Sequence, residues 1–264
     1  MNRQPGHSVV PGAADSLLHR QIVDVLTAEY ESGAPPNFAD GTPPDVIACA
    51  WGLYAQVHRH ARAAIVLTEA GMDHEAHLHI RAALEHAVLL HWVTERGQPG
   101  VDAVLANQAA QVDRSVRTAR EAALALAPEI EQAMAATRTD ERKASQAFRK
   151  VCEELGIVDL YFVYGVESQF VHPSVLTINS YAGASGLTVA PQGDLHRGNF
   201  ALLAPCLIWS GRALDRLVPG QPRSAQLEAL AESLGAAAIL PPWRPAPPAP
   251  ERKSRRKGGR RKRK

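Results

Sequence analysis

Apolar positions along this chain recur at three and four residues over long stretches, the repeat of one face of an α-helix. From about Ala14 to Glu31 the recurring positions are Leu17, Leu18, Ile22, Val25 and Leu26, which predict a first amphipathic helix. Gly33 to Gly41 reads as a loop stiffened by Pro35 and Pro36. Thr42 followed by Pro43 is an N-cap signal with a proline tolerated in the first turn. The helix it opens should run to about Glu69, with Val46, Ala50, Leu53, Val57, Ala61 and Ala64 inward. A tight turn at Gly71 then leads into a second long helix, so the two must lie antiparallel as a hairpin.

That second helix, from Asp73 to Gly97, organises the rest of the chain. Asp73 suits the orphan amides of its first turn, and Gly97 can take the left-handed conformation that ends its last. Leu84, Val88 and Trp92 form its buried stripe, bordered by Arg81 and Glu85, also four apart. Further helices are expected over 101–126, through Val104, Ala110, Val112, Val116 and Ala123, with Pro128 interrupting or restarting the pattern. Another, capped by Thr139, should end before Gly156 with Phe148, Val151 and Leu155 inward, and a shorter one over 158–172 is stopped by Pro173. Positions 174–195, rich in Gly, Ser, Thr and Pro, leave room for a short strand pair. Helix returns over 195–217, kinked at Pro205, and over 225–234.

The pattern predicts an all-α bundle of seven or eight helices spanning residues 13–240. Residues 1–12 are expected to be loose, and 241–264 to form a Pro-rich spacer and a basic tail. An aromatic content of only 5% agrees, since aromatic and β-branched residues are the strand formers. Charge divides the chain the same way. Residues 252–264 carry ten of the 29 Lys and Arg side chains, leaving residues 1–250 with 19 cations against 26 acids. A cationic tail of this density binds RNA or DNA phosphates without sequence preference, could equally bind an anionic lipid surface or an acidic protein, and has as its plain reading a solubilising segment of no specific use.

Three cysteines far apart, Cys49, Cys152 and Cys206, suggest neither a disulfide framework nor a zinc knuckle and suit a reducing compartment. The N-terminus lacks a signal-peptide apolar region, and Phe200–Trp209 is too short to span a bilayer, so a cytoplasmic protein without a transmembrane segment is expected. The Ala/Arg-rich usage is that of a high-GC bacterial genome. There is no Walker loop, dinucleotide fingerprint or nucleophile elbow, and no cofactor is expected.

Candidate chemistry concentrates in two helices. Tyr164, Ser168 and His172 are each four apart, so they drift by about 40° per step and share one polar stripe. Facing Arg81 and Glu85, they would give a binding or acid/base site of Arg81, Glu85, Tyr164, Ser168 and His172. The competing structural reading is an intrahelical Arg81–Glu85 pair, satisfied core hydroxyls and a histidine at a helix end. Histidine is also dense around the second hairpin helix, at His74, His77, His79, His86 and His91. His74 and His77 on one face, with Asp73 or Glu75 nearby, could bind zinc or nickel. His79 and His86 are expected to be exposed, and solvated histidines are the simpler reading of the group.

Arg-x-x-x-Glu on one helix and Tyr-x-x-x-Ser-x-x-x-His followed by Pro-Ser on another resemble uncharacterised bacterial helical families of unknown function. These are similar in pattern to the HEPN-like superfamily of nucleotide- and RNA-associated domains, over about residues 45–175. The resemblance implies a helical bundle, frequent dimerisation and, for some members, phage defence or toxin-like RNA cleavage. The ribonuclease members carry Arg, a polar residue and then His along one helix. Here Val166–His172 has no Arg, and Glu167 stands in its region, leaving Arg81 as a substitute from the neighbouring helix. Three functions are thus in view: a nucleic-acid-associated protein, a non-catalytic interaction module with a structural polar stripe, and a metal-dependent enzyme at His74 and His77.

Overall fold

The computed structural model of the chain describes residues 13–124, 148–183, 186–188 and 199–244, with 128 and 132 as isolated positions. Among them stand nine helices: α1 (Ala13–Ser32), α2 (Pro44–Glu69), α3 (Asp73–Arg96), α4 (Gln98–Glu121), α5 (Phe148–Leu155), α6 (Val158–Val171), α7 (Val175–Ser180), α8 (Asn199–Asp215) and α9 (Ser224–Ser233). A two-residue antiparallel pair, β1 (Ala182–Gly183) and β2 (Gly186–Leu187), is the strand content that the Gly/Ser-rich segment allowed. The fold is all-α, as the periodicity predicts. The Thr139 cap and the basic tail lie outside the described residues.

Helix α3 is the axis of the bundle, packing against α2, α4, α5, α6 and α8. Leu84, Val88 and Trp92 are fully buried, joined by Ile80, Ala83, Ala87 and Leu90. Burying a side chain of this kind contributes about 1.5–3 kcal/mol, so this one helix anchors much of the core. Its antiparallel partner α2 approaches on Ala61, Ala64, Ala50 and Val57, all fully buried. The link is tight because Gly71 takes φ 74°, and the Met72 amide closes back onto the Leu67 carbonyl at 2.8 Å. Gly97 likewise adopts φ 61°, ending α3 and starting α4 without a connecting loop. Helix α8, almost wholly apolar, lies across α3, α1 and α2 with Leu203, Cys206, Leu207 and Ile208 buried and Pro205 inside the helix.

Several local expectations are corrected. In α1 the buried face is Ile22, Val23, Leu26 and the polar His19 and Thr27, while Leu17 and Val25 are exposed. A three-and-four spacing fits two adjacent faces of a helix, and tertiary contact with α8 selects between them. Thr42 does not cap α2, whose cap position is Pro43 with no side-chain bond, and Met72 rather than Asp73 holds the cap position of α3. Ala123 is not inward on α4: the helix ends at Glu121, Ala123 turns to φ 54°, and the Leu124 amide reaches back to Ala119. The segment after Pro173 also holds a short helix, α7, capped by Ser174, whose hydroxyl accepts from the Thr177 amide at 3.1 Å. No helix among the described residues is long and apolar enough to cross a membrane.

The Pro-rich stretch begins on the bundle surface. The Pro241 carbonyl accepts from His91 at 2.9 Å. The Glu154 carboxylate takes the indole N–H groups of Trp92 at 2.9 Å and of Trp243 at 3.1 Å. Arg96 stands over both indoles, at 4.6 and 5.1 Å.

Candidate functional site

Helix periodicity lines up two matching rows between α3 and α6. On α3, His77, Arg81 and Glu85 are four apart; on α6, Tyr164, Glu167 and Phe170 are three apart. The rows meet. The Arg81 Nη2 donates to the Tyr164 hydroxyl, and its guanidinium carbon lies 4.5 Å from the Tyr164 ring centroid. The Arg81 Nε is buried with no acceptor among the described residues. The phenol of Tyr164 is raised above its ordinary pKa by burial, with the hydrogen bond and charge of Glu85 adding and Arg81 opposing. Phe148 and Tyr161 close the outside of the ring at 4.6 and 6.1 Å.

One turn towards the start of α3, the His77 imidazole meets the Glu167 carboxylate at 2.6 Å, their side chains only 4% and 14% exposed. The imidazole also stacks on Phe170 at 4.0 Å and 10°. An imidazole N–H donating to a carboxylate inside a low-dielectric seam is the strong, charge-assisted class of hydrogen bond.

The structure therefore brings together three of the five expected site residues, Arg81, Glu85 and Tyr164. It directs the other two elsewhere. The Ser168 hydroxyl donates to the Tyr164 carbonyl at 2.7 Å, a bond back along its own helix. His172 is the exposed cap residue of α6, with extended backbone, and its carbonyl accepts from Thr177 at 3.1 Å. Nearby thiols are poor nucleophiles. Cys152 is pushed up to about 12, mainly by burial and then by Asp159, Glu153 and Glu85, and Cys206 is raised further by burial and Glu167.

The histidines fall into separate environments. His74 and His77 are buried and edge-on to each other at 6.3 Å. His79 and His86 are half-buried rather than exposed, because His60 of α2 joins them. The His60 and His79 Nδ1 atoms lie 3.0 Å apart, the His60 and His86 rings are 5.3 Å apart, and the His86 Nδ1 donates to the Ala82 carbonyl. Burial, followed by His86, His79 and Arg59, lowers His60 to about 4. Among the described residues no group of three or more His, Cys, Asp or Glu side chains is placed to hold a metal ion.

Sequence reasoning missed the His77–Glu167 pair, reading His77 as a solvated histidine or half of a metal pair and Glu167 as standing where an Arg was expected. The signal was there: His77 precedes Arg81 by four, and Glu167 follows Tyr164 by three. It also missed an assembly of Glu29, Tyr54 and Arg223, which beside Tyr30 and Trp51 borders a cavity of about 220 Å³.

A family of unknown function, DUF5677, matches residues 48–186. No curated protein and no solved structure matches the chain.

Proposed function

Starting from the fact that the chain belongs to the DUF5677 family, we propose that it is a non-catalytic interaction module that docks a second copy of itself through the outer face of α6 and α7. The observation that carries this reading is an apolar stripe left exposed among the described residues. Val158, Phe162 and Val166 recur at four on α6, with Phe162 72% exposed, and Val175 and Ile178 of α7 are 71% and 66% exposed. Large apolar side chains gathered in this way on a polar surface mark interaction sites. The stripe is also self-complementary: one turn from the Phe162 ring lies Gly165, with open space where a Cβ would stand. In an antiparallel α6–α6 contact the ring of each copy fills the gap beside the other's glycine, the isologous arrangement of a two-fold dimer. Behind the stripe, Arg81 with Tyr164 and His77 with Glu167 bond to one another, which supports a structural role for the inner face.

Light scattering of the full chain tests this. The wild type should have twice the chain mass, and Phe162→Glu should have the mass of a monomer with unchanged helical circular dichroism. A monomeric wild type, or a variant that still dimerises, overturns it.

A second reading, nucleic-acid association, is favoured by the ten cations of residues 252–264. Binding through that segment would weaken steeply with salt and ignore base sequence. A gel shift comparing the full chain with one ending at Pro250 tests it while leaving Trp243 in place on Glu154. Equal shifts overturn it. The HEPN-like ribonuclease version would use His172 as general acid or base and Arg81 to stabilise the phosphorane. Equal RNA degradation by wild type and His172→Ala would remove it.

A further inference from the structure

We propose that the cavity between α1, α2, α8 and the turn leading into α9 is a binding site for a small uncharged aromatic molecule whose edge carries an amide-like acceptor beside a donor. Its volume, about 220 Å³, suits a single substituted ring, since an apolar cavity of about 150 Å³ is enough to hold benzene. Tyr30, Trp51 and Tyr54 supply the wall. Their centroids are 5.6–6.1 Å apart and their planes are tilted by 39–75°, so they present faces and edges to a concave space instead of stacking on each other. A flat ring placed among them gains the offset and edge-to-face contacts that aromatic pairs prefer. The wall is backed by His58, which lies 4.6 Å behind Tyr30 at 16° and is buried with neither ring nitrogen partnered.

The polar rim decides the charge. The Arg223 Nη1 donates to the Tyr54 hydroxyl at 2.9 Å, and its Nη2 to Glu29 at 2.6 Å. Asp215 accepts from the Arg223 amide at 3.2 Å and faces Arg212 at 3.4 Å. Each carboxylate of the lining thus has a guanidinium partner, Glu29 in Arg223 and Asp215 in Arg212, which also meets the exposed Glu228 at 3.2 Å, so neither is left as a bare charge for a ligand to pair with. What remains is hydrogen-bonding capacity. A guanidinium has five N–H groups in a fixed fork, and a carboxylate has about four lone-pair sites. Glu29 also accepts from Gln226 at 2.7 Å, and with two of its lone-pair sites used it still stands beside Arg223 as an acceptor next to a donor, the complement of a carbonyl next to an N–H. Trp51 and Tyr54 lie within the family match, and Glu29, Tyr30, Asp215 and Arg223 lie outside it.

The test is ligand-observed NMR titration of the full chain with benzamide, and with benzoate and benzylammonium as charged molecules of the same shape. Benzamide should bind saturably and more tightly than either. Trp51→Leu, with its helical spectrum intact, should weaken it by about tenfold, the loss of one aromatic contact worth about 1–1.5 kcal/mol. If Trp51→Leu does not fold, the partly exposed Tyr30→Leu gives the same reading. Absent saturation by benzamide, equal or tighter binding of a charged analogue, or unchanged affinity in the folded variant would each overturn the assignment.

Discussion

Two Arg–Tyr–Glu assemblies in this protein invite comparison. In one, Arg81 donates to Tyr164 with Glu85 beside it; in the other, Arg223 donates to Tyr54 and Glu29. Both tyrosines have raised pKa values for the same leading reason, burial, opposed by their arginine. The first lies between two packed helices with its three side chains partly exposed, Phe148 and Tyr161 standing beside the ring. The second ties α1 and α2 to the start of α9 and borders a cavity. The same three residue types thus act as an interhelical seam in one place and as the rim of a cavity in the other. Packing around them, not their identity, sets what is left available for a ligand.

The largest test of this contrast is Arg223→Ala, which leaves the buried Tyr54 hydroxyl without its donor and Glu29 with Gln226 alone. A loss of about 2–3 kcal/mol is expected, or roughly 5–10 °C in thermal unfolding. A smaller loss than that of Arg81→Ala would break the idea that Arg223 holds three elements together. Next is Glu167→Ala, which removes the acceptor from His77 and should cost about 1–3 kcal/mol, with Glu167→Gln recovering part of it.

Acid should distinguish the regions as well. Burial, and then Arg223, holds His58 down to about 3, whereas an unfolded histidine titrates near 6.5. The unfolded chain therefore takes up the proton first as pH falls. The stability His58 contributes is complete above about 6.5 and declines from there towards about 3. His58→Phe should flatten melting temperature between pH 6.5 and 4.5; an unchanged slope would show that His58 is not the group responsible. The smallest effect expected is for Ser168→Ala, within about 0.5 kcal/mol, because its hydroxyl only returns to its own helix. A larger loss would mean that Ser168 belongs to the seam.

The contrast also explains what the sequence disclosed. The core of α3 was legible because Leu84, Val88 and Trp92 repeat at a fixed spacing, and the match of Arg81 to Tyr164 followed from two such rows. His172 shared that row by arithmetic, but Pro173 ends the helix there, so backbone geometry turns it out. Spacing likewise could not choose the buried face of α1, since His19 and Thr27 lie inward on a row that hydrophobicity alone passes over. Glu29, Tyr54 and Arg223 had no periodic link at all. They are separated by 169 and 194 positions and meet only because α9 folds back beside α1 and α2.

Whether the seam between α3 and α6 binds itself is measured most directly by a double-mutant cycle on Arg81→Met and Tyr164→Phe in reversible unfolding. A coupling of about 1 kcal/mol or more is expected for groups in direct contact. Losses that add within about 0.3 kcal/mol would contradict the pairing and return Arg81 to the list of groups free to meet a ligand.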